Sequence, residues 1–189
     1  MKKSLNAILS MFLMLSTTSC AQTNTGDDKS AQSKSVVVYF SATGTTKSAA
    51  ELIAKAKNAM LAEICPVEPY TSDDLNWHDK QSRSSVEMND DNARPAIKPM
   101  EVNFDKYDTI FLGYPIWWDM ATRAVNTFIE KAALKGKTVI PFATSGGSTI
   151  DNSVSRLKKQ YPDINWAEGR LLNGASQEDV DQWVGSLAK

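Results

Sequence analysis

The sequence has little of what several common chemistries require. It holds one histidine and two cysteines in 189 residues. Acid–base work by imidazole would therefore rest on His78 alone, and no His/Cys set has metal-ligand spacing. The formal charge is −1, with 21 basic residues against 22 acidic ones, so a general phosphate-tracking surface for nucleic acid has no electrostatic support. Glycine is sparse as well. Gly44 stands alone where a dinucleotide fingerprint needs three glycines, and Ser41 and Thr46 occupy positions where a P-loop needs glycine. No apolar run approaches the roughly 20 residues of a membrane span; the longest candidate, Ala7 to Leu15, is far shorter.

That short run has a different meaning. The opening MKKSLNAILSMFLMLSTTSC reads as a basic region, an apolar stretch and small residues ending in Cys20, which is the layout of an export signal over residues 1–19. Thr18-Ser19-Cys20 resembles a bacterial lipoprotein box, which implies lipidation of Cys20 and anchoring to a membrane at the cell envelope; ordinary secretory cleavage is the alternative. Residues 20–35 hold no large apolar side chain after Cys20 and read as a flexible tether. Lipidation of Cys20 would leave Cys65 without an intrachain disulfide, as a small buried hydrophobe. Residues 36–189 are expected to form one domain.

In that domain short apolar runs alternate with amphipathic helices, the pattern of an α/β protein with a doubly wound parallel sheet and helices on both faces. Runs at 36–40, 61–67, 108–114, 138–143 and about 166–172 are the strand candidates. Helical stripes follow at Ala49–Met60, Ala121–Ala132, Val154–Tyr161 and Val180–Leu187, the last preceded by Ser176 and Asp179 at capping-box spacing. Pro141 inside the fourth run predicts a bulge or local irregularity. Residues 71–103, rich in Ser, Asp, Asn and Pro, show no sustained period and are expected to form a long irregular crossover. Asp73, Asp74, Asp90 and Asp91 within it lack the spacing of a calcium site and read as a solvated loop.

Ligands of open parallel sheets bind beyond the carboxyl ends of the strands, so the loops after the first, third and fourth runs matter most. The first carries four hydroxyls, on Ser41, Thr43, Thr45 and Thr46, around Gly44 at a helix start, where free N–H groups favour an anion. The second, GYPIWWDM from Gly113, places Trp117 and Trp118 side by side. Both cannot enter one core from an extended segment, so one is expected to face a cleft or solvent, or else to pack against the crossover with Tyr70 and Trp77. The third, ATSGGST from Ala143, offers Ser145, Gly146 and Gly147, which suit close backbone approach and hydrogen bonding. An anion pocket, a flat aromatic wall and a polar strip together match the outline of FMN.

From Val36 onward the chain resembles the flavodoxins, and in particular flavodoxin-like proteins with GYPIWW and TSGGS loops and a late EGRLLNGAS stretch. The resemblance implies a five-stranded sheet in the order 2-1-3-4-5. It also implies FMN as cofactor, with its phosphate on Ser41, Thr43, Gly44, Thr45 and Thr46. The ring would lie beside Pro115, Ile116, Trp117 and Trp118 on one side and Ser145, Gly146 and Gly147 on the other. The work expected of such a protein is electron transfer at the cell envelope, with a redox partner protein or a small electron acceptor. No residue is assigned a catalytic role, and the oligomeric state is not set by the sequence. Two alternatives are an NAD(P)H-dependent reductase of a quinone or other small acceptor, and a scaffold or ligand-binding lipoprotein without flavin.

Overall fold

The computed structural model describes residues 35–187. The export signal, residues 20–34 of the tether and the lipidation expected at Cys20 lie outside them. At the centre are β1 (Ser35–Tyr39), β3 (Thr109–Trp117) and β5 (Thr138–Thr144), flanked by β2 (Met60–Glu63). All pair in parallel, with Val38 opposite Leu112 and Leu112 opposite Pro141 in register. Alternation decides the two faces: Val36, Val38 and Phe40 join Leu112, Tyr114 and Val139 in one cluster, while Val37, Tyr39, Phe111, Ile140 and Phe142 join the other.

Helices cover both sides. The first face is packed by α3 (Arg123–Lys131) and α4 (Asp151–Gln160) through Phe128, Val154 and Leu157; the second by α1 (Thr45–Lys57) and α5 (Gln177–Ser186) through Ile53, Val180 and Trp183. The capping box at Ser176 and Asp179 is formed, each side chain accepting from the other's backbone N–H. Helix α1 stops at Asn58, whose φ of 46° places it in the left-handed region typical of a helix end.

Among the described residues the expected five strands are corrected to seven, in the order β2-β1-β3-β5-β6 with two additions off that path. One addition is β4 (Met120–Ala121), which turns back antiparallel on the end of β3. The other arises because the outermost strand is broken into β6 (Asn165–Trp166) and β7 (Arg170–Leu171). Pro141 explains the break. The carbonyls of Val139 and Ala143 accept from Ala167 and Leu172, so position 141 faces the same edge, where proline has no N–H to give. The register moves from Val139 opposite Trp166 to Phe142 opposite Arg170, so the outer strand carries one extra residue across this gap.

The segment between β2 and β3 is also corrected. It contains a short helix, α2 (Arg83–Asn89), capped by the Ser82 side chain, and a single 3-10 turn at Phe104–Lys106. Polar contacts fix it to the body. Arg123, 5% exposed, donates to the carbonyls of Glu87 and Met88 and to Asp91 at 2.8 Å. Arg94 pairs with Glu130 at 2.8 Å, and Thr127 donates to the Pro95 carbonyl. Asp91 is thus an ion-pair partner and not only a solvated charge. Cys65 is buried, as expected of a small hydrophobe.

Candidate functional site

Three loops meet at the carboxyl ends of β1, β3 and β5. In the first, Gly44 takes a φ of 90°, a left-handed value that suits glycine, and its N–H donates to Ser41 Oγ at 3.0 Å. Gly44 is the N-cap of α1, and among the described residues no side chain caps that helix. Its first N–H groups, from Thr45 onward, therefore have no side-chain cap among the described residues, and the positive end of the helix dipole lies there. Thr46 is turned inward: it is 1% exposed, and its hydroxyl meets that of Thr144 at 2.7 Å. It braces the first loop against the third.

The second loop begins inside β3. A Cβ on Gly113 would fall 2.2 Å from the Phe142 ring, so only glycine allows that ring to pack. Trp118 and Asp119 both have positive φ, 46° and 63°, and form the two-residue turn of the β3–β4 hairpin in the conformation that matches strand twist. Asn152 on α4 donates to both the carbonyl and the carboxylate of Asp119, pinning the turn. The adjacent tryptophans separate accordingly. Trp117 meets Phe40 and Tyr70 edge to face, at 5.9 and 5.3 Å between ring centres, so for this residue packing against the crossover holds. Trp118 is 41% exposed at the cleft.

The third loop is closed by its own serine. Ser145 Oγ accepts from the N–H groups of Gly147 and Ser148, while Asn173 holds the Ser145 backbone by accepting from its N–H and donating to its carbonyl. A Cβ on Gly146 would meet nothing within 4 Å. The loop thus presents open space at its tip.

These loops enclose a cleft of about 530 Å³. Of the predicted residues, Thr43, Thr46, Pro115, Ile116, Trp117, Trp118 and Gly146 line it. Ser41, Gly44, Thr45, Ser145 and Gly147 belong to the same loops but lie outside its lining. Three further lining residues, Leu75, Trp77 and Ser84, come from the crossover. Trp77 is 68% exposed and lies against His78, with ring centres 3.6 Å apart and the planes tilted by 33°. A tryptophan inside a run of Ser, Asp and Asn was the available signal, since no apolar period explains it.

Behind the wall the crossover is rigidly tied. Tyr70 donates to Glu87, and Arg83 lies 4.1 Å from the Tyr70 ring centre while bonding Glu87 at 2.7 Å. Burial, followed by the bond to Glu87, pushes the Tyr70 hydroxyl well above its ordinary range. It stays protonated and acts as a donor.

A doubly wound α/β sheet with an apolar, aromatic-walled slot at its strand ends and open glycine at one rim has the layout of a flavodoxin-like fold. The comparisons agree with that class. A family model described as Flavodoxin matches residues 34–187, and the chain belongs to the flavodoxin family. It is similar to two crystal structures, each described as a "putative flavoprotein", from Bacteroides uniformis and Bacteroides eggerthii. The first is 56% identical with a TM-score of 0.79, covering 81% of this chain and 98% of that one. The second is 58% identical with a TM-score of 0.80, covering 83% and 99%. A flavoprotein from Lactobacillus acidophilus, solved in complex with FMN, shares the fold at 24% identity and a TM-score of 0.63, covering 80% and 99%. No curated protein matches the chain.

Proposed function

We propose that this chain binds FMN and transfers electrons at the bacterial cell envelope. The observation that carries the cofactor is the uncapped N-terminus of α1 opening beside a slot walled by Trp118. The N–H groups after Gly44 and the hydroxyls of Ser41, Thr43 and Thr45 would take the phosphate. Pro115, Ile116 and Trp118 would flank the ring, with Gly146 and Gly147 leaving its polar edge room. FMN, when bound, supplies the electron chemistry by accepting and releasing electrons. The protein's part is to orient the ring, exclude water with Trp77 and Trp118, and hold its loops fixed through Thr46, Asn152 and Asn173.

The electron partner is a redox protein or a small acceptor. A dedicated NAD(P)H-dependent reductase is the second reading, favoured by one observation: Leu75, Trp77 and Ser84 extend the cleft beyond the three loops. Rapid mixing of the flavin-loaded protein with NADH or NADPH separates the two. Slow or absent bleaching fits a carrier; bleaching within the instrument's mixing time would replace that reading with the reductase.

Anchoring through a lipid on Cys20 places the domain at a membrane surface. Intact mass of the membrane-extracted protein tests the anchor. A mass increase of diacylglyceryl size supports it, and an unmodified Cys20 removes it.

A further inference from the structure

A second cleft, of about 560 Å³, lies between β4, α3, α4 and the end of the crossover. Its lining differs in kind from that of the aromatic slot. Arg94, Arg123, Arg156 and Lys159 all face it, joined by the side-chain amides of Asn92 and Gln160.

Few carboxylates answer these cations. Arg94 is satisfied by Glu130 at 2.8 Å. Asp91 is shared, 2.8 Å from Arg123 and 3.9 Å from Arg156, and is itself 78% exposed. Lys159 has no carboxylate within ion-pair distance among the described residues. Two acids therefore stand against four bases in a chain whose formal charge is −1.

The guanidinium of Arg123 is the most telling group. Only 5% of the side chain is exposed, and Nε and Nη2 are used on Glu87, Met88 and Asp91. Nη1 has no hydrogen-bond partner among the described residues. A buried cation held rigid by two backbone carbonyls, with donors to spare, is preorganised for an oxyanion. The exposed Asp91 carboxylate already occupies part of that position.

We propose that this cleft binds a phosphate-bearing small molecule, with Arg123, Arg156 and Lys159 as its anion-binding groups. A phosphate monoester carries close to two negative charges at neutral pH, which matches the excess of bases over acids. The volume falls in the range of small-molecule sites, between about 300 and 1,000 Å³. Asp91 competes with the ligand for Arg123 and Arg156. This site stands apart from the flavin reading, since none of its lining residues lines the aromatic slot.

The test is titration of the mature protein with inorganic phosphate and, separately, with AMP, followed by backbone amide NMR. Shifts are expected at Asn92, Arg123 and Gln160. Arg156→Gln and Lys159→Gln, both at the surface, should each weaken binding about tenfold, as the loss of one charge-assisted hydrogen bond does. Asp91→Asn should strengthen it by removing the competing carboxylate. Tighter binding of AMP than of phosphate would mark a nucleotide-like ligand, and equal binding a simpler phosphate; both support the site. Shifts confined to Gly44 and Thr45, no shifts at all, or affinities unchanged in both surface variants would overturn it.

Discussion

The central strands are held by apolar burial, whereas the crossover between β2 and β3 adds polar anchors to the apolar contacts of Ile97, Met100 and Phe104. In β1, β3 and β5, Val36, Leu112 and Phe142 are completely buried among apolar neighbours. Residues 64–108 bury three serines, Ser82, Ser84 and Ser85, and are tied to α3 by Arg123, Arg94 and Thr127. Apolar burial is non-directional and spread over many contacts, so losing one side chain weakens the whole domain. Hydrogen bonds to a buried guanidinium are few and directional, so losing one group releases a segment. The site uses both regions: the strands place three loops, and the crossover adds Trp77 as a fourth wall.

The sharpest way to test this contrast begins in the sheet. Leu112→Ala should destabilise the domain by about 3 kcal/mol, the usual cost of emptying a leucine site in a core. Denaturant unfolding should remain a single transition, because the loss is global. Separate loss of the crossover in that variant would break the comparison.

Arg123→Met should cost less, about 2 kcal/mol, by leaving the Glu87 and Met88 carbonyls without their charged donor. Hydrogen exchange is the measurement to use. Faster exchange confined to about residues 70–100, with β1 and β3 still protected, is the expected pattern. Uniform acceleration across the sheet would show that the crossover and core are one unit.

How much of this was legible in the sequence follows the same division. Four of the strand runs and four helices could be read from apolar period, because the sheet buries both faces and each helix buries one. The anchoring of the crossover could not. Arg123 and Glu87 are 36 residues apart, and nothing local marks a buried guanidinium bonded to a backbone carbonyl. The break in the outer strand was half legible: Pro141 announced it, but the extra residue sits in the partner strand. In the site, the hydroxyl loop and the tryptophan pair were visible. The inward turn of Thr46 and the splitting of Trp117 from Trp118 needed the positive φ at Trp118, which no residue type there signals.

The smallest expected effect is on pH dependence. Arg94, bonding to Glu130, holds that carboxyl below the ordinary range, helped by the Tyr161 hydroxyl. Burial is the main reason that the Tyr161 hydroxyl itself is pushed up to about 12. A depressed folded value means the unfolded chain binds the proton first, so stability is complete above the unfolded carboxylate pKa and falls as the pH drops through the folded one. Thermal melts of wild type and Arg94→Gln should therefore converge on acidification. Curves that stay parallel through the carboxylate range would show that the pair contributes nothing.

The central claim is that the slot beside α1 holds a flavin. The most direct measurement is an FMN titration of the chain from Ala21 onward, following flavin fluorescence in the wild type, Thr43→Val and Trp118→Ala. The wild type is expected to bind with quenched flavin fluorescence, weakened about tenfold by Thr43→Val through loss of a phosphate contact, with brighter bound flavin in Trp118→Ala. A wild-type protein that takes up no FMN would contradict it.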